Sequence, residues 1–116
     1  MKIVRTDSFL QTPVLDQALT VAGHDLVLLP DGSPEPEVLQ AAQDADLILM
    51  CYTPITRRII EAAPRLKGIV KYGVGIDAID IPAAMEHRVP VVNIPEYAEE
   101  TVAEGAFSLL ISLAKR

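Results

Sequence analysis

The stretch LKGIVKYGVGIDAIDIPAAMEH, Leu66 to His87, decides how the chain is read. An apolar run leads into Gly73 and Gly75, and with Ala78 these fit the spacing G-x-G-x-x-G/A. After a strand, that spacing marks a turn that cradles a nucleotide pyrophosphate at a helix N-terminus. Such a turn passes straight into its helix. A helix starting at Gly75 would carry Pro82 two turns inside it, where the missing N–H and the ring clash cost roughly 3 kcal/mol. Proline belongs in the first turn. The stretch therefore predicts a loop over 73–81 and a helix starting near Pro82. Glu96 partly matches the acidic residue expected about 20 positions on in a nucleotide turn. Two other readings of the glycines stay open: a change of chain direction, or a nest of bare main-chain N–H groups that holds a small carboxylate.

Outward from this stretch, short β-rich runs alternate with helical patterns. Strands are expected over 2–6, 25–29, 45–51, 66–72 and 89–94, and helices over 13–23, 37–43, 55–64, 82–88 and 99–116. In the first helix Val14, Leu15, Ala18, Leu19 and Ala22 share a face, and Gly23 is its stop signal. ADLILMC, 45–51, is apolar throughout, as a central strand covered on both faces should be. The alternation implies an α/β fold: a doubly wound parallel sheet of about five strands, flavodoxin-like, in the order 2-1-3-4-5. No repeat or interdomain linker interrupts residues 1–116, which read as one domain.

The last helix stands apart. Val102, Ala103, Ala106, Phe107, Leu109, Leu110, Ile111, Leu113 and Ala114 surround almost its whole circumference. Such a helix is normally buried on all sides. One face is expected on the sheet; the other wants a second domain, a second copy or a hydrophobic ligand. The chain stops at Lys115-Arg116, directly after this helix, which reads as a boundary inside a longer protein.

Charge and composition exclude several classes. The net charge is −6 and the adjacent basic pairs are Arg57-Arg58 and Lys115-Arg116, so no nucleic-acid surface is expected. Cys51 is the single cysteine, which rules out an internal disulfide and suggests a reducing, cytoplasmic setting. The N-terminus lacks the apolar core of a signal peptide. The longest apolar stretch, Val102–Ala114, is too short for a bilayer and contains Glu104, so a soluble protein is expected. His24 and His87 lie at the wrong ends of their elements for a proton donor, and neither has partners at metal-ligand spacing. No catalytic residue and no metal site are assigned.

Ligands of open α/β sheets bind off the carboxyl ends of the strands. There stand Cys51, Tyr52 and Thr53 after the third strand and Tyr72 after the fourth. Cys51 reads as a small buried hydrophobe. Tyr52, Thr53 and Tyr72 are candidate substrate contacts. Asp77 and Asp80 suit a loop tie and a helix cap better than catalysis.

From Leu66 to the end the chain resembles the D-isomer-specific 2-hydroxyacid dehydrogenases, the group of phosphoglycerate dehydrogenase and glyoxylate reductase. The matching features run in order: G-V-G-x-D-x-I-D, A-A with a helix, V-P-V-V-N-x-P, then V-A-E before an apolar helix. ADLILMCYTPIT fits more loosely. Ala78 and Ile94 depart from the usual Asn and Thr. The resemblance implies that 1–116 is a substrate-binding domain segment that precedes an NAD- or NADP-binding Rossmann domain. The family's nucleotide glycines and its catalytic Arg, Glu and His would lie past residue 116. It also implies that main-chain N–H groups around Gly73, Val74 and Gly75 hold the carboxylate of a 2-hydroxy or 2-oxo acid. Thr101 and Glu104 would face the cofactor at the interdomain cleft. Alone, the segment is expected to be inactive, to bind no nucleotide tightly, and to form a homodimer through Phe107, Leu110 and Ile111. The alternative is a stand-alone acid-binding or regulatory module of the same fold. A phosphotransfer receiver fits poorly, for want of a paired acidic cluster after the first strand.

Overall fold

The structure, a computed structural model, describes residues 1–7, 9 and 12–115. Elements follow in the order β1 (Lys2–Arg5), α1 (Pro13–Val21), β2 (Asp25–Leu28), α2 (Glu35–Ala42), β3 (Leu47–Met50), α3 (Arg57–Glu61), β4 (Gly68–Lys71), α4 (Ile81–Glu86), β5 (Val91–Val92) and α5 (Glu99–Ala114). All strand pairs are parallel and the order is β2-β1-β3-β4-β5, as the alternation of elements predicts. The register sets Val4 beside Ile48 and Ile48 beside Ile69.

One sheet face carries the core. Ile48 and Met50 of β3 and Ile69 of β4 pack with Val38 of α2, Ile59 and Ile60 of α3, and Ala83 and Ala84 of α4. Burying such a side chain contributes about 1.5–3 kcal/mol. On the opposite face Arg5, 5% exposed, reaches α1: its Nη1 donates to both carboxylate oxygens of Asp16 at 2.7 Å and to Thr12 Oγ1 at 3.1 Å. An ion pair thus ties α1 to the sheet; of its expected apolar face no residue is buried, Val14 being largely exposed and Leu19 partly covered.

Several boundaries differ from those expected: α2 starts at Glu35, not at Glu37, with Pro36 tolerated in its first turn, and two others have visible reasons. α3 starts at Arg57, not at Ile55, because Ile55 forms a bridge with Ile79: Ile55 N–H donates to Ala78 O at 2.8 Å and Asp80 N–H to Ile55 O at 2.9 Å. β5 is two residues long because Pro90, which has no N–H, can only accept, here from Ile69 at 3.0 Å.

α5 corrects an expectation. No residue of it is buried, so it offers no face to the sheet at all. Its apolar residues encircle it and give no single face the advantage. It stands off the body, and the molecule measures 55 × 34 × 25 Å. No helix among the described residues is long and apolar enough to cross a membrane.

Candidate functional site

The carboxyl ends of β3 and β4, the loop after β4 and the start of α5 enclose a cleft of about 480 Å³. The segment 72–80 is a loop, and α4 begins at Ile81 with Pro82 in its first turn. Asp80 caps that helix, its Oδ1 accepting from Ala83 N–H at 2.8 Å. The strand does not pass into a helix through the glycines.

The glycine loop is pinned from two sides. Gly73 O accepts from Ile94 N–H at 3.0 Å, and Val74 O accepts from Asn93 Nδ2 at 2.7 Å. Gly73 has φ +150°, and a Cβ there would lie 3.2 Å from Lys71 Cε. Glycine is thus favoured by conformation, and a Cβ would also have to push the Lys71 side chain aside. Val74 and Gly75 N–H donate to no described residue, and both residues line the cleft. Two successive free donors on a fixed loop are what an anion-binding nest needs. A Cβ on Gly75 would lie 3.4 Å from Asp77 Oδ2, so a carboxylate stands beside the nest.

Lys71 ends β4 and also lines the cleft, although only 7% exposed. Its Nζ donates to Cys51 O and lies 5.1 Å from the centre of the Tyr52 ring. No carboxylate among the described residues is in ion-pair contact with it. Tyr52 is an exposed cleft wall whose ring meets Phe9 edge-on at 5.3 Å.

Below the end of β3 sits Asp7, 2% exposed. Its Oδ2 accepts from the N–H groups of Cys51 at 2.9 Å and of Tyr52 and Thr53 at 3.0 Å. Burial alone would raise this carboxyl; the three N–H donors outweigh it and hold the group below its ordinary value. Asp7 Oδ1 is buried with no partner among the described residues.

The sequence-predicted residues separate in space. Tyr52, Tyr72, Gly73, Val74 and Gly75 come together around the cleft. Thr53 does not line it: its Oγ1 donates to Thr6 O at 3.0 Å, and it borders a smaller hollow with Phe9 and Pro54. Tyr72 is half-buried, its hydroxyl has no partner among the described residues, and burial, partly offset by Arg5, pushes it up to about 12. Thr101 and Glu104 are exposed on the first turns of α5; the α5 residue in the cleft wall is Val102. Cys51 is buried, and that burial pushes its thiol up. His87 is the C-cap of α4 and His24 precedes β2, both away from the cleft. No group of three potential metal ligands gathers among the described residues. Sequence reading missed Asp7 and Lys71. The available signals were an acidic residue just past β1 and a lone cation closing the apolar run GIVK.

Comparison with known proteins adds a consistent frame. The family model for the D-isomer specific 2-hydroxyacid dehydrogenase catalytic domain matches residues 6–109. D-3-phosphoglycerate dehydrogenase of Methanocaldococcus jannaschii is 40% identical over 85 residues, which are 72% of this chain and 16% of that protein. Glyoxylate reductase of Korarchaeum cryptofilum is 35% identical over 95 residues, 79% of this chain and 29% of that protein. The chain spans less than a third of either relative. Among solved structures, NAD+-bound 3-phosphoglycerate dehydrogenase of Entamoeba histolytica superposes with a TM-score of 0.83 at 31% identity, covering 96% of this chain and 38% of that one. NAD-dependent formate dehydrogenase of Staphylococcus aureus, in complex with NAD, gives 0.80 at 30% identity, covering 95% and 37%.

Proposed function

Because the chain belongs to the D-isomer specific 2-hydroxyacid dehydrogenase family, we propose that it is the substrate-holding segment of an NAD(P)-dependent oxidoreductase acting on 2-hydroxy and 2-oxo acids. The observation that carries this reading is the pair of free N–H groups at Val74 and Gly75, on a pinned loop beside the Lys71 ammonium. The acid's carboxylate takes the two N–H groups. Lys71 supplies the positive charge of the cleft, Tyr52 and Tyr72 its walls. Hydrogen bonds to a charged group contribute about 1.5–3 kcal/mol each, enough to orient a small acid.

The residues of this chain do not fit the cofactor's pyrophosphate, since the glycines lead into a loop and not into a helix. We assign the nucleotide to a separate Rossmann domain, with Thr101 and Glu104 of α5 at the seam. By itself the chain carries out no hydride step, because positioning without donor and proton source performs no chemistry. The exposed apolar residues of α5 serve that seam and, in the isolated chain, a homodimer. The single free cysteine suits the reducing cytoplasm.

The test is titration of the 15N-labelled chain with oxalate or glyoxylate. The Val74 and Gly75 amides should move most, and Lys71→Met should weaken binding about tenfold or more. No movement of either amide at millimolar acid would refute the reading. The chain alone should not oxidise NADH with glyoxylate or hydroxypyruvate; clear turnover would contradict the assignment of catalysis to another domain.

A further inference from the structure

We propose that Asp7, which lies outside the cleft, is a positioning residue that sets Lys71 beside the glycine loop through the Cys51–Tyr52 peptide. The inference rests on the carboxylate-holding role proposed above. One peptide group joins the two buried charges. Its C=O, on Cys51, accepts from Lys71 Nζ. Its N–H, on Tyr52, donates to Asp7 Oδ2 at 3.0 Å. The peptide dipole therefore runs from ammonium to carboxylate in the favourable sense at both ends. The neighbouring N–H groups of Cys51 and Thr53 converge on the same oxygen, so the turn after β3 is wrapped around Asp7.

This arrangement accounts for a buried lysine without a carboxylate in contact. A direct ion pair would occupy the ammonium. A counter-charge one peptide away leaves other N–H bonds of Lys71 free for an incoming anion. It also explains why three donors at a strand's carboxyl end are closed to ligand. Asp7 fills them, and the free donors are those of Val74 and Gly75. The Tyr52 ring beside Lys71 is fixed by the same turn, since its own N–H is one of the three.

Charge alone and positioning predict opposite signs. A carboxylate this near an acid-binding cleft repels the acid, so if Asp7 acts only through its field, removing the charge tightens binding. If it positions Lys71, losing the acceptor weakens binding. The experiment uses Asp7→Ala and Asp7→Asn in the 15N,13C-labelled chain, with oxalate as probe. In the wild type the Lys71 ε-methylene protons should be shifted upfield by the Tyr52 ring. Asp7→Ala should abolish that shift and weaken oxalate about tenfold or more. Asp7→Asn, whose amide oxygen still accepts, should keep the shift and bind within about threefold of wild type.

An unmoved Lys71 signal in Asp7→Ala, or oxalate binding more than about threefold tighter than wild type in either variant, overturns the proposal. Should Asp7→Ala fail to fold, Asp7→Asn alone decides between unchanged and tightened binding. The ring shift needs no ligand. If it depends on Asp7 while no form of the chain takes up oxalate, positioning stands and the carboxylate-holding role falls.

Discussion

At the scale of single residues, the cleft depends on one backbone conformation. Gly73 combines φ +150° with a 3.2 Å approach of its absent Cβ to Lys71 Cε. Gly73→Ala should destabilise the chain by about 1–3 kcal/mol in urea unfolding and should displace Lys71. Gly75, with φ outside the left-handed region and its nearest neighbour a flexible carboxylate, should tolerate alanine better. Cys51 should react slowly with a thiol-specific disulfide reagent at pH 8 and at once in denaturant, because burial both hides and raises its thiol. Gly73, Gly75 and the Asp80 cap were legible in the sequence because their roles are local: turn, spacing and first helical turn. Asp7 and Lys71 were not. Asp7 meets its three donors 44 to 46 positions away, and Lys71 meets Cys51 across 20. Only the adjacency of β1, β3 and β4 brings them together.

At the scale of elements, the floor of the sheet is tied by Asp46, just before β3. Its carboxylate accepts from Lys2 N–H at 2.8 Å, Lys67 Nζ at 2.9 Å and Arg65 Nη2 at 3.2 Å, joining the starts of β1 and β4. The Lys67 bond first, then the Lys2 N–H, hold this carboxyl well below the usual carboxylate range. A folded value below the unfolded one stabilises above about pH 4 and is lost as pH falls further. Asp46→Asn should therefore lower stability at pH 7 and flatten its decline below pH 4, read by urea unfolding across pH. The five strands, their order and all five helices were legible from alternating patterns, but several boundaries were not: α3 and β5 are cut by the Ile55–Ile79 bridge and Pro90, and α2 starts at Glu35 with Pro36 in its first turn. The placement of α5 was not: an apolar circumference says that a helix needs cover without saying where the cover is. Phe107→Asp with Leu110→Asp should abolish the concentration-dependent rise in mass expected of the unaltered chain in light scattering. A wild type that stays monomeric at high concentration would contradict a helix-mediated dimer.

At the scale of the whole molecule, body and helix should unfold independently, as the missing burial of α5 implies. The core lies between one sheet face and α2–α4, and no residue of α5 is buried. Removing residues 99–116 should leave the melting temperature of the body within about 3 °C, since exposed residues contribute little to stability. Hydrogen exchange should agree, with β1, β3 and β4 protected and α5 exchanging fastest. The same deletion removes Val102 from the cleft wall and should weaken oxalate binding without unfolding anything. Stability and binding would then part company in a single variant.

The free-standing helix also has a mechanical side. Sixteen residues make a rod about 24 Å long, so a tilt of roughly 10° at its base swings the far tip by about 4 Å. Val102, close to the pivot, moves only about 1 Å in the same swing. α5 is thus a lever with unequal arms: a force on its outer end would move the cleft wall at Val102 by only about a quarter of the tip's own displacement.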